Sequence, residues 1–259
     1  MRIRKLMAAM AFALAALPGY AQFSRLVWAD EFNKNGLPDT TKWSYDLGGS
    51  GWGNNELQYY TNSIRNASVQ NGVLHVKALK DSLGKNGYTS ARLVSKLKGD
   101  WTYGRIEVRA RLPKGTGIWP AIWMLPTQWK YGNWPASGEI DIMEFVGYQP
   151  DSLFGSVHTR RFNHSIGTQK TKSLYSKDLP DAFHVYAINW TAEAIAFLFD
   201  GKEYFRFTND HSGKDAWPFD TDFHLLLNVA VGGGWGGKKG VDNTIFPQEM
   251  LVDYVRVYQ

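Results

Sequence analysis

The sequence contains no cysteine. No disulfide braces the fold, and no thiol is available for an N-terminal lipid anchor. Stability has to come from a packed core, with a bound ion as the other available brace. A Lys/Arg-rich run is also missing, which argues against a nucleic-acid partner and against a densely sulfated polymer. No Pro/Ser/Thr-rich linker, low-complexity tract or internal repeat divides the chain, so one domain is expected. Capped stretches with long 3.6-period apolar faces are absent too, and without them helices cannot form the framework.

One apolar run stands out, Leu6 to Leu17, LMAAMAFALAAL. It is too short to span a bilayer, so no membrane partner is expected. Arg2, Arg4 and Lys5 precede it, and Pro18-Gly19-Tyr20-Ala21 places small residues ahead of Gln22. That order reads as a secretory signal peptide over 1–21, leaving residues 22–259 as a periplasmic or extracellular domain. Removing Arg2, Arg4 and Lys5 takes the formal net charge from +5 to +2, so the basicity is largely a targeting feature.

What remains is strand-like. GVLHVKAL around Leu74, Val76 and Ala78 alternates apolar and polar residues, as do RIEVRARL from Arg105 and LVDYVRVY from Leu251. Ile195 to Phe207 is two aromatic-rich runs joined at Asp200-Gly201, a hairpin signal. LLLNVAV from Leu225 is a buried-strand run. Many short strands with Gly/Asn/Asp turns predict an all-β sandwich or barrel. The aromatic count, 11 Trp, 13 Tyr and 14 Phe, exceeds what a core requires. Trp52 in GGSGWGNNE and Trp235 in VGGGWGGKKG sit in flexible loops, and Trp119, Trp123 and Trp134 cluster before an acidic strand. Such rings either plug the sandwich ends or stack on the C–H faces of sugars; together they favour a saccharide cleft.

The acidic strand is GEIDIMEF, Gly138 to Phe145. On a regular strand Glu139 and Asp141 share a face, while Glu144, five residues from Glu139, points away. A β-bulge at Ile142 or Met143 would restore the phase and put all three acids on one face. Two glutamates flanking an aspartate suit a retaining glycosidase, in which one carboxylate attacks the anomeric carbon and the other protonates the leaving oxygen. Asp141 between them would share a proton or hydrogen bond with the nucleophile. Two other readings are open: a solvent-facing strand whose acids pair with Arg105, Arg109 and Arg111, and a carboxylate site for Ca²⁺.

SGEIDIMEFVG, with GIWPAIWMLP before it and WPFDTDFHLLLNVAVGGGWGG and VDYVRVYQ after it, resembles glycoside hydrolase family sixteen, in particular its laminarinase-type bacterial endo-β-1,3(4)-glucanases. The resemblance runs from VWADEFN to the C-terminus. It implies a β-jelly-roll sandwich of two antiparallel sheets with a concave carbohydrate-binding cleft. It also implies retention, with Glu139 as nucleophile, Glu144 as general acid/base and Asp141 assisting. Trp119, Trp123 and Trp134 should then lie near the scissile bond. His158 would hydrogen-bond the acid/base or a sugar hydroxyl, and Asn54, Glu56 and Arg92 would contact glycone sugars. Trp235 would stack on one of them. No cofactor is implied for catalysis. A structural calcium is implied at backbone oxygens near Glu31 and Gly72 plus the Asp253 carboxylate. The expected substrate is an internal β-1,3 or β-1,4 bond of a laminarin-like or mixed-linkage β-glucan, cut by a monomer. A glucan-binding lectin on the same fold, a hydrolase of another polysaccharide such as agarose, and a transglycosylase are the competing readings.

Overall fold

The computed structural model describes residues 23–259; the proposed export signal at 1–21 lies outside the described residues. The two-residue alternation becomes two stacked antiparallel sheets. One runs β16 (Lys202–Thr208), β15 (Ala194–Phe199), β14 (His184–Trp190), β9 (Gly104–Arg111), β18 (Gln248–Tyr258), β5 (Val73–Ala78), β4 (Ala67–Gln70), with β1 (Leu26–Asp30) also on β18. The other runs β13 (Lys170–Tyr175), β12 (Ser152–His158), β11 (Glu139–Phe145), β10 (Ile118–Pro126), β17 (Phe223–Val231), β7 (Arg92–Val94), β2 (Ser44–Tyr45), with β8 (Asp100–Trp101) also on β17. A short parallel pair, β3 (Gln58–Tyr60) and β6 (Tyr88–Ser90), completes the strands. Helix among the described residues is limited to one 3-10 turn, His164–Ile166. No described helix is long and apolar enough to cross a membrane.

The core lies between the sheets and is filled by one residue in two from each strand. Ile106, Val108 and Ala110 of β9 face inward at 0% exposure, against Ile188 and Trp190 of β14 and Val255 and Val257 of β18. Leu225, Leu227, Val229 and Val231 of β17 meet them from the second sheet. Burying each such side chain contributes about 1.5–3 kcal/mol. β17 is buried along all nine residues, on both faces. That explains its nearly continuous apolar run, broken by His224 and Asn228: its outer face is covered as well. The hairpin at Asp200-Gly201 forms as expected, with φ of 48° and 77°, the left-handed pair a two-residue turn needs.

Arg105, Glu107, Arg109 and Arg111 lie on the outer side of the first sheet. Arg105 pairs with Glu107 at 2.8 Å and Arg109 with Asp253 at 2.6 Å. The GEIDIMEF acids belong to the second sheet. Pairing between those acids and these arginines, open from the sequence, is therefore overturned: the sandwich separates them.

Candidate active site

β11 lies inside the second sheet, between β10 and β12, and its register shows how the acids come together. On β12, Glu139 stands opposite His158, Asp141 opposite Ser156 and Glu144 opposite Phe154. From Asp141 to Glu144 the strand advances three residues while its partner advances two. Since His158, Ser156 and Phe154 alternate regularly, they share one face, and so do the three acids they oppose. Against β10 the pairs are Trp123 with Asp141, Ala121 with Glu144 and Ile122 with Met143, which leaves Ile142 as the surplus residue. Ile142 and Met143 are 2% and 0% exposed, and both pack into the core. The bulge is present, and apolar burial of two consecutive side chains holds it there.

Two indoles address the two glutamates. Trp134 Nε1 donates to Glu139 Oε2 at 2.9 Å, and Trp119 Nε1 donates to Glu144 Oε1 at 3.1 Å. His158 Nε2 lies 3.2 Å from Asp141 Oδ2 and 3.8 Å from Glu139 Oε1. Of the two expected partners of His158, the acid/base or a sugar hydroxyl, the first is not met: the register puts it at the Glu139 end of the strand. Burial and the Asp141 charge push the Glu139 carboxyl up to about 8. Burial likewise raises Asp141, with its hydrogen bond to Glu139 opposing. Glu144 is raised well above the carboxylate range, first by burial, then by the charges of Asp141 and Glu139. Three acids in one desolvated row hold protons to neutral pH and titrate as a set. Glu139 has His158 and the Trp134 indole beside it to favour its anion, against burial and the Asp141 charge. His158 and Trp119 favour the Glu144 anion in the same way, yet burial leaves that carboxyl well above the carboxylate range. Carboxyls of unlike proton affinity side by side are the arrangement that acid–base chemistry requires.

Glu139, Asp141 and His158 bring ligand atoms within 4.8 Å of one another, a spacing that a metal ion could also use. Their setting favours protons instead, since Glu139 Oε2 already accepts from an indole and Asp141 is 2% exposed.

The remaining expected site residues form a wall on the β10–β17–β7 side. Trp123 Nε1 donates to Asn228 Oδ1 at 2.7 Å, and Asn228 Nδ2 donates to the Tyr60 hydroxyl at 2.9 Å. Glu56 is enclosed: Gln58 Nε2, Tyr60 OH and Asn54 Nδ2 donate to it at 2.6, 3.2 and 3.1 Å, and it is 9% exposed. Burial raises its carboxyl. Glu56 and Asn54 thus brace the loop, and these bonds hold the Glu56 carboxylate in place beside the Gly-rich loop of Trp235. Arg92 lies between the Trp52 and Trp123 rings, 4.7 and 4.6 Å from their centroids, and pairs with Asp46 at 3.0 Å. Trp52, with Tyr60 also against it, acts mainly as a plug. Trp235 packs edge-on against Trp119 and Phe154 at 5.5 and 5.1 Å, directly beside Glu144. Its Gly-rich loop is tied to the Asn54 loop, Gly234 N donating to Asn54 O and Leu57 N to Val231 O.

Asn228, Phe154 and His164 were missed in the sequence. Asn228 had a signal, as the lone polar residue of LLLNVAV. Phe154 shares the parity of His158. His164, whose ring stacks on Trp134 at 4.9 Å, had none.

The three segments named for calcium do converge. β18 passes from β5, at Leu74–Val252, to β1, at Asp30–Val255, and Asp253 lies in the gap. Glu31 follows β1 and Gly72 precedes β5, so both backbones border that gap. Oxygen donors at a junction between strands fit a hard cation. Asp253 Oδ2 accepts from Arg109 Nη1 at 2.6 Å, and the Glu31 carboxylate is taken by Arg256. A cavity of about 540 Å³ nearby, lined by Asp30, Glu31, Lys34 and Lys42 among others, carries no paired acids aimed at a sugar.

The model for glycosyl hydrolases family 16 matches residues 52–256. A β-glucanase of Rhodothermus marinus is 50% identical over the whole of this chain and 97% of its own length. The crystal structure of the laminarinase from Rhodothermus marinus superposes with a TM-score of 0.90 at 54% identity, covering 91% of this chain and 97% of that one. SCLam, a non-specific endo-β-1,3(4)-glucanase of the same family crystallised with an oligosaccharide at its active site, gives a TM-score of 0.89 at 47% identity, covering 92% and 95%. The jelly-roll expectation holds.

Acids held above their unfolded values of about 3.9 and 4.3 bind more protons in the folded state than in the unfolded one. Stability should therefore fall as pH rises from about 4 towards 8. Glu144→Gln removes one such acid, and its Tm should exceed that of the wild type at pH 8, with the gap closing at pH 4.5. A gap independent of pH, read by scanning calorimetry, would mean that Glu144 is not buried as an acid.

Proposed function

Because the chain belongs to glycosyl hydrolases family 16, and is a glycoside hydrolase of endo-β-glucanase type, we propose that it cleaves internal bonds of laminarin-like or mixed-linkage β-glucans with retention of configuration. The observation that carries the reading is the bulge at Ile142, which puts Glu139, Asp141 and Glu144 on one buried row with an indole donor on each glutamate. A binding-only protein has no use for two desolvated carboxyls of unlike proton affinity, since they cost stability without gripping a neutral sugar.

In this mechanism a Glu139 carboxylate oxygen attacks the anomeric carbon while Asp141 holds the proton they share. The glycosidic C–O bond breaks, and the Glu144 proton goes to the leaving oxygen. A covalent glycosyl ester on Glu139 results, and Glu144 is now a carboxylate. Water then gives its proton to Glu144 and its oxygen to the anomeric carbon, releasing Glu139. Two inversions leave the configuration as it began. His158, beside Glu139 and Asp141, stabilises the negative charge of that pair. Trp119 and Trp235 present rings beside Glu144, where a sugar face would stack.

We read residues 1–21 as an export signal and the Glu31–Gly72–Asp253 junction as a structural calcium site, with the backbone oxygens of Glu31 and Gly72 and the carboxylate of Asp253 as ligands. The ion would tie β1 and β5 to β18 and take no part in the chemistry.

Glu139→Gln and Glu144→Gln should each lower kcat on laminarin and barley glucan by at least about 100-fold. Proton NMR of early wild-type products should show the β-anomer first. Full activity in either variant, or an initial α-anomer, would sink the assignment. Calcium at 100 times its Kd should stabilise the fold by about 2.7 kcal/mol. That appears as a Tm raised by CaCl₂ and lowered by EDTA; a Tm indifferent to both removes the ion. Mass spectrometry of the exported protein should find Gln22 at its N-terminus, and an intact leader on exported material would refute cleavage there.

A further inference from the structure

The loop between β12 and β13 carries a second histidine that the mechanism does not use. The imidazole of His164 stacks on the Trp134 indole, with centroids 4.9 Å apart and planes inclined by 37°. It also meets the His158 ring edge-on at 5.2 Å. Trp134, His164 and His158 therefore form a triangle of mutually touching rings, His158 lying 6.0 Å from the indole. The indole so held is the one that donates to Glu139 Oε2.

The loop is built to present that ring. Asn163 is 4% exposed, and its side-chain amide donates to Thr159 O and Arg160 O at 3.1 and 3.3 Å. Thr168 Oγ1 accepts from Asn163 N at 3.2 Å and donates to Arg161 O at 2.9 Å. Thr168 N donates to Asn163 O at 3.0 Å, closing the turn around His164. These bonds fix the backbone on both sides of His164 while its own ring remains at the surface. Holding one solvent-facing ring in place with buried amide bonds is worthwhile only if that ring has to stay put.

We propose that His164 is a positioning residue that clamps the Trp134 indole in the orientation from which it donates to Glu139. This rests on the glycosidase reading of the acids. Without the clamp the indole can turn about its side-chain torsions, and the nucleophile loses both its orientation and one hydrogen bond to its anion. Misplacement of a reacting group by about 1 Å costs on the order of 100-fold. The groups facing Glu139 are Asp141 and Glu144 on its own strand, His158 from β12 and the neutral Trp134. The Trp134 hydrogen bond opposes the rise that burial imposes on Glu139. Its loss therefore moves the acid limb of the pH–rate profile upward.

The test compares wild type, His164→Ala and His164→Phe on laminarin, with indole N–H resonances recorded on ¹⁵N-Trp-labelled protein and Trp134→Phe used to assign the Trp134 peak. The clamp predicts that His164→Ala lowers kcat by about 10- to 100-fold with KM within about twofold. The acid limb rises, and the Trp134 indole proton loses its downfield shift. A flat ring at 164 restores the packing, so His164→Phe recovers most of kcat and the resonance. Raised KM at unchanged kcat would make His164 a sugar contact instead. Unchanged kcat, acid limb and resonance would make it a bystander. Equal loss in the Phe variant would mean that imidazole nitrogen chemistry, not stacking, is required. A wild type inactive on every glucan would overturn the glycosidase reading, and the indole resonance would still report on the clamp.

Discussion

A strand that keeps its two-residue period cannot show Glu139 and Glu144 to the same side, and Ile142 removes that obstacle. The surplus residue is tolerated because its neighbours on both sides of β11 supply a deep apolar core. Ile142 and Met143 enter it in succession, where alternation would have sent one of them outward. Hydrophobic burial thus sets the phase of the acidic row, and the contact of Glu144 with Trp119 depends on that phase. The pairings of Trp123 with Asp141 and His158 with Glu139 follow from the register it imposes.

The same row works against the fold. Desolvating three carboxyls is unfavourable whenever they are charged, and little opposite charge is provided to relieve it. The charges acting on the acids are chiefly their own and that of His158. Core burial across two eight-stranded sheets offsets this local cost. Held by its partners, the site keeps carboxyls protonated at a pH where exposed ones would all be ionised.

Strand identity was legible because it rests on local alternation. RIEVRARL became β9 and LVDYVRVY the greater part of β18, and the buried run LLLNVAV became β17. The bulge was legible too, because acids at positions 139, 141 and 144 conflict with a regular strand. What composition and spacing left open were contacts between segments distant in the chain. Glu56 in WGNNELQYY does not announce its partners, yet Tyr60 and Gln58 fold back around it. Arg105 and Arg109 looked available to the acids until the sandwich put them on the far face. His158 was placed at the site, but which acid it served needed the β11–β12 register. His164 carries no periodicity or motif, because its role depends on a loop meeting Trp134 from another part of the chain.

Neutral donors explain how the row can orient its carboxyls without forcing them to ionise. A lysine or arginine against Glu144 would favour its anion and weaken its hold on a proton. An indole N–H orients the carboxyl at much smaller cost to that proton, and Trp119 and Trp134 do this for the two glutamates in turn. The nearby guanidinium is kept from the acids: Arg92 is stacked between Trp52 and Trp123 and neutralised by Asp46. With the orienting donors alike, the distinction between the glutamates falls to their surroundings. Glu139 sits next to Asp141 and His158, and Glu144 sits past the bulge beside Trp119 and Trp235. The surplus residue turns Glu144 onto the row opposite Phe154, four positions along β12 from His158, with an indole as its donor.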